Sequence, residues 1–432
     1  MSTLYWFRND LRLEDNPALI EALKSGNELV PVFVFEERWW ETDEWGFKKT
    51  GAFRTQFLLE SVADLQKQLK AVGSNLLIRK GNTTAVFQEL IEAYDCNAIF
   101  AQKEHTSEEI ILEEEVSNLL PKGALHLIEG FTLCDLSKLP FAISDLPDQF
   151  TQFRKAIEKQ GEWRPLVEKV LSIPSADIPE STIPVMADFN QGRPSLDLRA
   201  ALEFKGGSSE ARKRLDHYFW DTKRLGVYKK TRNGLIGADY SSKFSPWLAN
   251  GSISARAIVK EIHQYEAEHG ANESTYWLIF ELLWRDYFRL VSMKYGNAVF
   301  QEKGIKHEEM RWSKDLSLFG TWLEGKTNDA FVNANMRELT KTGWMSNRGR
   351  QNVASYLVHD LKIDWRMGAA AFEHFLLDYD PCSNYGNWMY VAGVGNDPRP
   401  NRKFNTKRQA DMYDPKGAYQ QLWNNEMLEF NL

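Results

Sequence analysis

At 432 residues the chain exceeds what one hydrophobic core ordinarily serves, so two or three domains are expected. No apolar run approaches the roughly 18–20 residues of a membrane helix, and charge interrupts the opening "MSTLYWFRNDLRLEDN" where a signal peptide needs apolar residues, so a cytoplasmic protein with no membrane partner is expected. The net charge of −7 conceals an asymmetry: residues 1–200 carry 21 Lys and Arg against 32 Asp and Glu, whereas residues 201–432 carry 32 against 28, leaving room for a basic face on the second half only.

Residues 1–135 alternate short apolar runs with amphipathic ones. "LYWF" (4–7), "LVPVFVF" (29–35), "NLLIRK" (75–80), "NAIFAQ" (97–102) and "ALHLIE" (124–129) read as buried strands. Between them, "GAFRTQFLLESVADLQKQLKAVG" sets Phe57, Leu58, Ser61, Val62, Leu65 and Leu69 at helical spacing before Gly73 closes the helix. This alternation specifies a parallel, Rossmann-like α/β sheet with right-handed crossovers. No GxGxxG follows the first strand, which argues against an ordinary dinucleotide fold, yet the crevice beyond the strand C-termini remains a place to bind a ligand. Residues 136–195, Pro- and Ser-rich, read as a long connector over the surface with one short helix near Thr151–Gln160. From 196 to 432 nearly every segment has helical period, including "SARAIVKEIHQYEAEHG", "STYWLIFELLWRDYFRLVSMKYG" and "NVASYLVHDLKIDW", so an all-helical domain is expected there.

Five stretches of that half carry candidate chemistry. In "FELLWRDYFR", Glu281 and Arg285 stand four apart on a helix face with Trp284 and Phe288; a surface ion pair beside a core aromatic is the plain alternative. In "TGWMSNRGRQN", Gly343 ends one helix and the next begins near Ser346 with Asn347, Arg348 and Arg350 in its first turn, where the helix dipole disfavours cations unless an anion such as phosphate is held there. "ADYSSKFSPWLANGSIS" brings Tyr240, Ser241, Ser242, Lys243 and Ser245 into a helix start that either cradles phosphate or simply caps the helix. The basic run "NDPRPNRKFNTKR", with Arg399, Arg402, Lys403, Lys407 and Arg408, can follow a nucleic-acid backbone or stand as a solvated loop. "DYDPCSNYGNW" (378–388) collects Asp378, Asp380, Ser383, Asn384 and Trp388, residues that by themselves also suit a turn. Cys96, Cys134 and Cys382 lack any disulfide or zinc spacing, and no metal site is expected.

Taken together, "WFRNDLRLEDNPAL", "TGAFR", "SSKFSPWLANGSIS", "FELLWRDYFR", "TGWMSNRGRQN", "IDWR" and "DYDPCSNYGNW" resemble the DNA photolyase/cryptochrome family, most of all its cryptochrome-DASH branch, over essentially the whole chain. The resemblance implies an N-terminal α/β antenna domain and a C-terminal helical domain that binds FAD. It implies that Tyr228, Ser241, Ser242, Lys243, Phe244 and Ser245 hold the FAD phosphates, that Arg285, Asn347 and Arg350 line the flavin pocket, and that Asp378 and Asp380 face the ribityl and isoalloxazine edge. Asn384 corresponds to the residue beside flavin N5. Trp388, Trp365 and Trp312 correspond to an electron relay. Glu281, Trp284 and Arg348 correspond to lesion-cavity positions, joined by Gln351 and Tyr390, which replace the Met and Trp of duplex-repair enzymes and make the cavity more polar. Arg399 and Lys403 are expected to contact DNA phosphate.

The activity so implied is blue-light repair of cyclobutane pyrimidine dimers by electron transfer from excited, reduced FAD, with single-stranded DNA preferred and the protein acting as a monomer. A second chromophore, 5,10-methenyltetrahydrofolate, is implied near the N-terminal domain, with Glu104 as a pterin contact. The alternatives are a blue-light photoreceptor that signals through partners, against which the little that remains after "AYQQLWNNEMLEFNL" is expected to weigh, and a flavin-bearing nucleic-acid binder that does not repair.

Overall fold

The five apolar runs become five parallel strands. A computed structural model describes residues 2–307, 311–399 and 403–425. It places β1 at Ser2–Phe7, β2 at Glu28–Glu36, β3 at Leu77–Gly81, β4 at Cys96–Gln102 and β5 at Leu125–Ile128, each within two residues of its expected bounds. Their order is β3-β2-β1-β4-β5, all parallel. The sheet grows outward in both directions from β1, so a crevice opens beyond the carboxyl ends of β1 and β4. Arg8 and Asn9 leave β1 there, and Glu104 follows β4. Helices α1 (Pro17–Lys24), α2 (Ala52–Ala71), α3 (Thr83–Ala93) and α4 (Ser107–Ser117) complete this layer. Both faces of the sheet are dry, one around Tyr5, Phe33 and Leu65, the other around Leu4, Trp6 and Val32. Strands buried on both faces read as continuous rather than alternating apolar runs, which is why they were visible in the sequence.

The connector carries α5 (Phe150–Gln160) and is tied down rather than loosely draped. The Leu29 amide donates to Pro174 O at 2.7 Å, and Cys134 bridges Trp163. The helical half follows, with α6 (Ser208–Asp216), α7 (Tyr228–Thr231), α8 (Ser245–Ala249), α9 (Ala255–His269), α10 (Glu273–Tyr295), α11 (Leu316–Leu323) and α12 (Ala330–Thr342), then α13 (Asn347–Ser355), α14 (Trp365–Phe375), α15 (Pro381–Ala392), α16 (Thr406–Tyr413) and α17 (Ala418–Asn424). One expectation is corrected. "NVASYLVHDLKIDW" is not one helix: α13 runs into a π turn at Tyr356–Asp360 and stops. Ser313 explains the break, because its amide donates to Lys362 O at 2.7 Å and its carbonyl accepts from Asp364 N at 2.8 Å. Asp364 then caps α14 by accepting from Arg366 N. Among the described residues no helix is long and apolar enough to cross a membrane.

The two halves meet through backbone contact and buried guanidinium groups. Gly251, at φ +70°, lies so close to Asn9 O that a Cβ would stand 1.9 Å from it. Arg12 donates to Gly251 O at 2.9 Å. Arg256, on α9, donates to Asp15 at 2.9 Å and to the carbonyls of Thr132 at 2.9 Å and Gly130 at 3.1 Å. The side chains of Arg256 and Asp15 are only 2% and 0% exposed, so neither charge has water to fall back on. Replacing Arg256 with Met leaves the Asp15 carboxylate buried and uncompensated, a loss of about 3–5 kcal/mol. A lowered urea midpoint at unchanged slope is the expected reading, and an unchanged midpoint would show that the joint does not depend on this pair.

Candidate functional site

The site is organised by the turn that leads into α15. Asp380 is the N-cap, accepting from Ser383 N at 2.7 Å, and Pro381 opens the helix with the φ it needs. The "DYDPCSNYGNW" stretch is therefore a cap and a helix, not a turn alone, and Asn384 and Trp388 stand one turn apart on it. Asn384 is buried, its Nδ2 donating to Ala369 O at 3.0 Å. Trp388 packs against α14 at Gly368, where a Cβ would meet the indole at 2.2 Å. Only glycine allows the two helices to close on that ring.

Asp378 and Asp380 have separate cationic partners. Asp378 accepts from Arg350 Nη2 at 2.9 and 3.0 Å and from Ser245 Oγ at 2.6 Å. Within the protein, Arg350 in the first turn of α13 thus meets the Asp378 carboxylate, whereas Arg348 meets amide oxygens. Asp380 accepts from Arg289 Nη2 at 2.6 Å. Burial drives the Asp380 carboxyl up, but Arg289, Arg285 and the Ser383 contacts outweigh it and hold the group below its ordinary value, so it stays ionised. Arg285 donates to Phe131 O at 2.8 Å and Leu248 O at 3.2 Å, and burial together with Arg289 pushes it down to about 10. The plain alternative, a surface pair of Glu281 with Arg285, does not form: Arg285 points into the domain joint, and Glu281 instead accepts from Arg232 at 2.5 Å. Arg289 went unnoticed in the sequence, although it continues the Glu281, Arg285 spacing by another four residues on an apolar helix.

The Tyr240–Ser245 loop is built around buried cations. Arg214 donates to the carbonyls of Ala238, Ser241 and Ser242, each at 3.0 Å, so the loop carbonyls point at it. Lys243, at φ +56°, is 3% exposed, with Nζ 3.2 Å from the Tyr240 ring centroid and donating to Gly237 O at 3.3 Å. Burial and Arg214 lower its pKa well below the ordinary lysine value. Among the described residues, the amides of Ser241 through Ser245 donate to no protein oxygen. Phe244 and Tyr228 are buried in the helical core, and Asn347 is exposed at the start of α13.

The remaining expected residues divide into three groups. Trp365 is fully buried, donates to Glu302 O at 3.1 Å and stands edge-on to Tyr385 at 6.0 Å. Trp312, half-buried, precedes the Ser313 bridge that delivers the chain to Trp365. Trp388 meets Phe372 at 5.0 Å and Trp322 at 6.4 Å, and Trp322, fully buried, was not singled out in the sequence. In the second group Trp284 lies flat against Phe150 at 3.7 Å and 11°, with Tyr390 edge-on at 6.0 Å. Phe150 comes from the connector, a contribution no helical period could disclose. Arg348 donates to Gln351 Oε1 and Asn233 Oδ1, both at 3.0 Å. Arg399 and Lys403, expected to meet phosphate, pair with Asp397 at 3.2 Å and Asp360 at 2.5 Å, while Arg402 lies outside the described residues. Glu104 forms the third group, at the sheet crevice: it accepts from Asn9 at 3.1 Å and stands 3.8 Å from Arg289. It borders a cavity of about 370 Å³ shared with Arg8, Trp39, Glu373, Tyr379 and Asp380. Burial lifts the Glu104 carboxyl to about 8 despite Arg8 and Arg289.

Comparison with known proteins agrees with this arrangement. Residues 3–174 match the DNA photolyase family and residues 277–431 the FAD binding domain of DNA photolyase. Cryptochrome DASH of Xenopus laevis is 50% identical over 97% of this chain and 82% of its own length, and that of Gloeobacter violaceus 46% over 99% and 86%. The crystal structure of a Synechocystis cryptochrome superposes with a TM-score of 0.94 at 45% identity, covering 98% of this chain and 88% of the other. A class III photolyase from Agrobacterium tumefaciens gives 0.83 at 26% identity, covering 98% and 86%. With both halves matched and the carboxylate and guanidinium framework in place, this chain belongs to the DNA photolyase/cryptochrome family and is most similar to its cryptochrome-DASH members.

Proposed function

We propose that this protein is a cryptochrome-DASH photolyase that repairs cyclobutane pyrimidine dimers under blue light, acts as a cytoplasmic monomer and prefers single-stranded DNA. The observation that carries the reading is the pair of buried, separately compensated carboxylates next to a buried neutral amide: Asp378 on Arg350, Asp380 on Arg289, and Asn384 one turn into α15. These residues fit FAD. The undonated amides of Ser241–Ser245, with Lys243 in the left-handed region, form a concave cradle suited to a diphosphate. FAD, when bound and reduced, absorbs the light and supplies the electron.

The chain's own residues do the rest. Arg350 and Ser245 fix Asp378, and Arg289 fixes Asp380, so both carboxylates can accept from hydroxyl or imide donors without moving. Asn384 spends an amide proton on Ala369, leaving its carbonyl oxygen to accept from a ring N–H. A carboxylate there would protonate or oppose a negatively charged ring. Trp312, Trp365 and Trp388 refill the cofactor with electrons from the surface. Glu281, Trp284, Gln351 and Tyr390 receive the dimer. Phe150 occupies one face of Trp284, so a base stacks on the other. The crevice bordered by Glu104 and Trp39 takes 5,10-methenyltetrahydrofolate, with the carboxyl of Glu104 toward the pterin.

Extruding a dimer from a duplex costs a few kcal/mol, and base–aromatic stacking returns about 1–3 kcal/mol per base. A cavity with Tyr390 and Gln351 in place of Trp and Met recovers less of that cost. Repair of the same dimer is therefore expected to be far faster in a single strand than in a duplex, with Gln351→Met plus Tyr390→Trp improving the duplex. Equal rates in both contexts would refute the preference, and absence of any light-dependent recovery of thymine absorbance would refute repair itself. Trp388→Phe should abolish prompt photoreduction of the oxidised protein, followed by transient absorption, while chemically reduced enzyme still repairs; an undiminished yield would remove Trp388 from the relay. Glu104 supplies a pH test. Because its folded value of about 8 lies above the ordinary 4.5, its contribution to stability is complete below 4.5 and is lost as pH rises through 8. Glu104→Gln should flatten the fall in melting temperature across that interval, and an unaltered profile would place the titration elsewhere.

A further inference from the structure

Residues 223–232 carry five of the chain's cations, Lys223, Arg224, Lys229, Lys230 and Arg232, and no Asp or Glu occurs from Thr222 to Ala238. This basic segment lies along α10. Lys229 Nζ stands 4.4 Å from the Trp277 ring centroid and the Arg232 guanidinium 6.0 Å from it. Trp277 begins an aromatic row. It stacks on Phe280 at 4.6 Å and 24°, Phe280 meets Phe150 edge-on at 5.1 Å, and Phe150 lies flat on Trp284. Trp277, Phe280 and Trp284 are spaced three and four residues apart on one helix face, and all three are half-buried, so the row reaches solvent. Trp277 sits about 10 Å along the helix from Trp284, roughly three stacked base steps.

The charges on this face are only partly cancelled internally. Lys229 pairs with Glu273 and Arg232 with Glu281, but Lys223, Arg224 and Lys230 are exposed and, among the described residues, pair with no carboxylate. In the basic run expected to meet phosphate, Arg399 and Lys403 are held by carboxylates, while Lys407 and Arg408 are exposed. Cations flanking a stackable indole suit a polyanion whose bases can stack.

We propose that the face formed by residues 223–232 and the Trp277 end of α10 binds the nucleotides flanking the lesion in single-stranded DNA. A base stacks on Trp277 while Lys223, Arg224 and Lys230 meet successive phosphates. Lys229, whose ion pair is with the 83% exposed Glu273 side chain, turns from the ring to a phosphate as the base arrives. A duplex cannot offer that base without unstacking it, so the face adds to the single-strand preference. The inference rests on the repair reading for the position of the lesion, but not for binding itself.

The test uses the flavin-loaded protein and a lesion-free oligothymidylate, with affinity measured by fluorescence anisotropy over a range of salt. Trp277→Leu is expected to weaken binding about 5- to 100-fold, and Trp277→Phe to restore most of it. Replacing Lys223, Arg224 and Lys230 together with Gln should reduce the slope of log affinity against log salt by about 2. The flavin absorbance spectrum and the repair yield per bound dimer should stay as in the unmodified protein. If Trp277→Leu binds oligothymidylate as tightly as the parent and the triple variant keeps its salt slope, the inference is overturned, even in a protein that repairs dimers. If both variants lose binding in a protein that shows no repair, the inference stands and the repair reading falls.

Discussion

The Arg289 guanidinium is the contact on which the site depends. It is 2% exposed, donates to Asp380 at 2.6 Å, lies 3.8 Å over the Phe131 ring and faces Glu104 at 3.8 Å. An isolated carboxylate in so dry a place would give up its charge. With Arg289 beside it Asp380 keeps the charge, caps α15 and fixes the register of that helix. Asn384 and Trp388 then fall where they do because a cap holds the helix start, and Gly368 lets α14 come close enough to enclose the indole.

Arg289 also joins the sheet crevice to the carboxylate framework. Its far side faces Glu104, at the crevice where the sheet changes its direction of growth, and Asp380 itself borders the cavity there. The crevice and the carboxylate framework are thus walls of one structure, joined by a buried ion cluster and by backbone contact at Gly251. A rigid joint of this kind holds the crevice and the carboxylate framework at a fixed separation and orientation. Hydrophobic packing alone is non-directional and would not set such an orientation.

The surroundings of Trp284 are arranged by neighbours rather than by the expected residues alone. Phe150 covers one face of Trp284, Tyr390 takes an edge, and Gln351 is engaged by Arg348. Each restricts the aromatic and polar surface left open beside Trp284. The connector, which by composition is only a Pro- and Ser-rich stretch, thereby supplies the ring that stacks on Trp284.

The sequence alone determined what depends on local pattern. Strand positions followed from doubly buried apolar runs, the α12 and α13 boundary from Gly343 and Ser346, and the family from seven ordered motifs that carry their residues in short, contiguous stretches. Only the tertiary structure decided pairing. It gave Arg350 to Asp378, Arg289 to Asp380 and Arg232 to Glu281, where helical spacing had offered Arg285 to Glu281, and it brought Phe150 onto Trp284 across more than a hundred residues. The physical reason is that a charge is satisfied by whichever opposite group the fold places within about 3 Å in a region without water, and sequence separation has no part in that distance. The same reason explains the break before Trp365: the helical pattern of "NVASYLVHDLKIDW" was intact, but Ser313, distant in the chain, took the backbone groups that would have continued it.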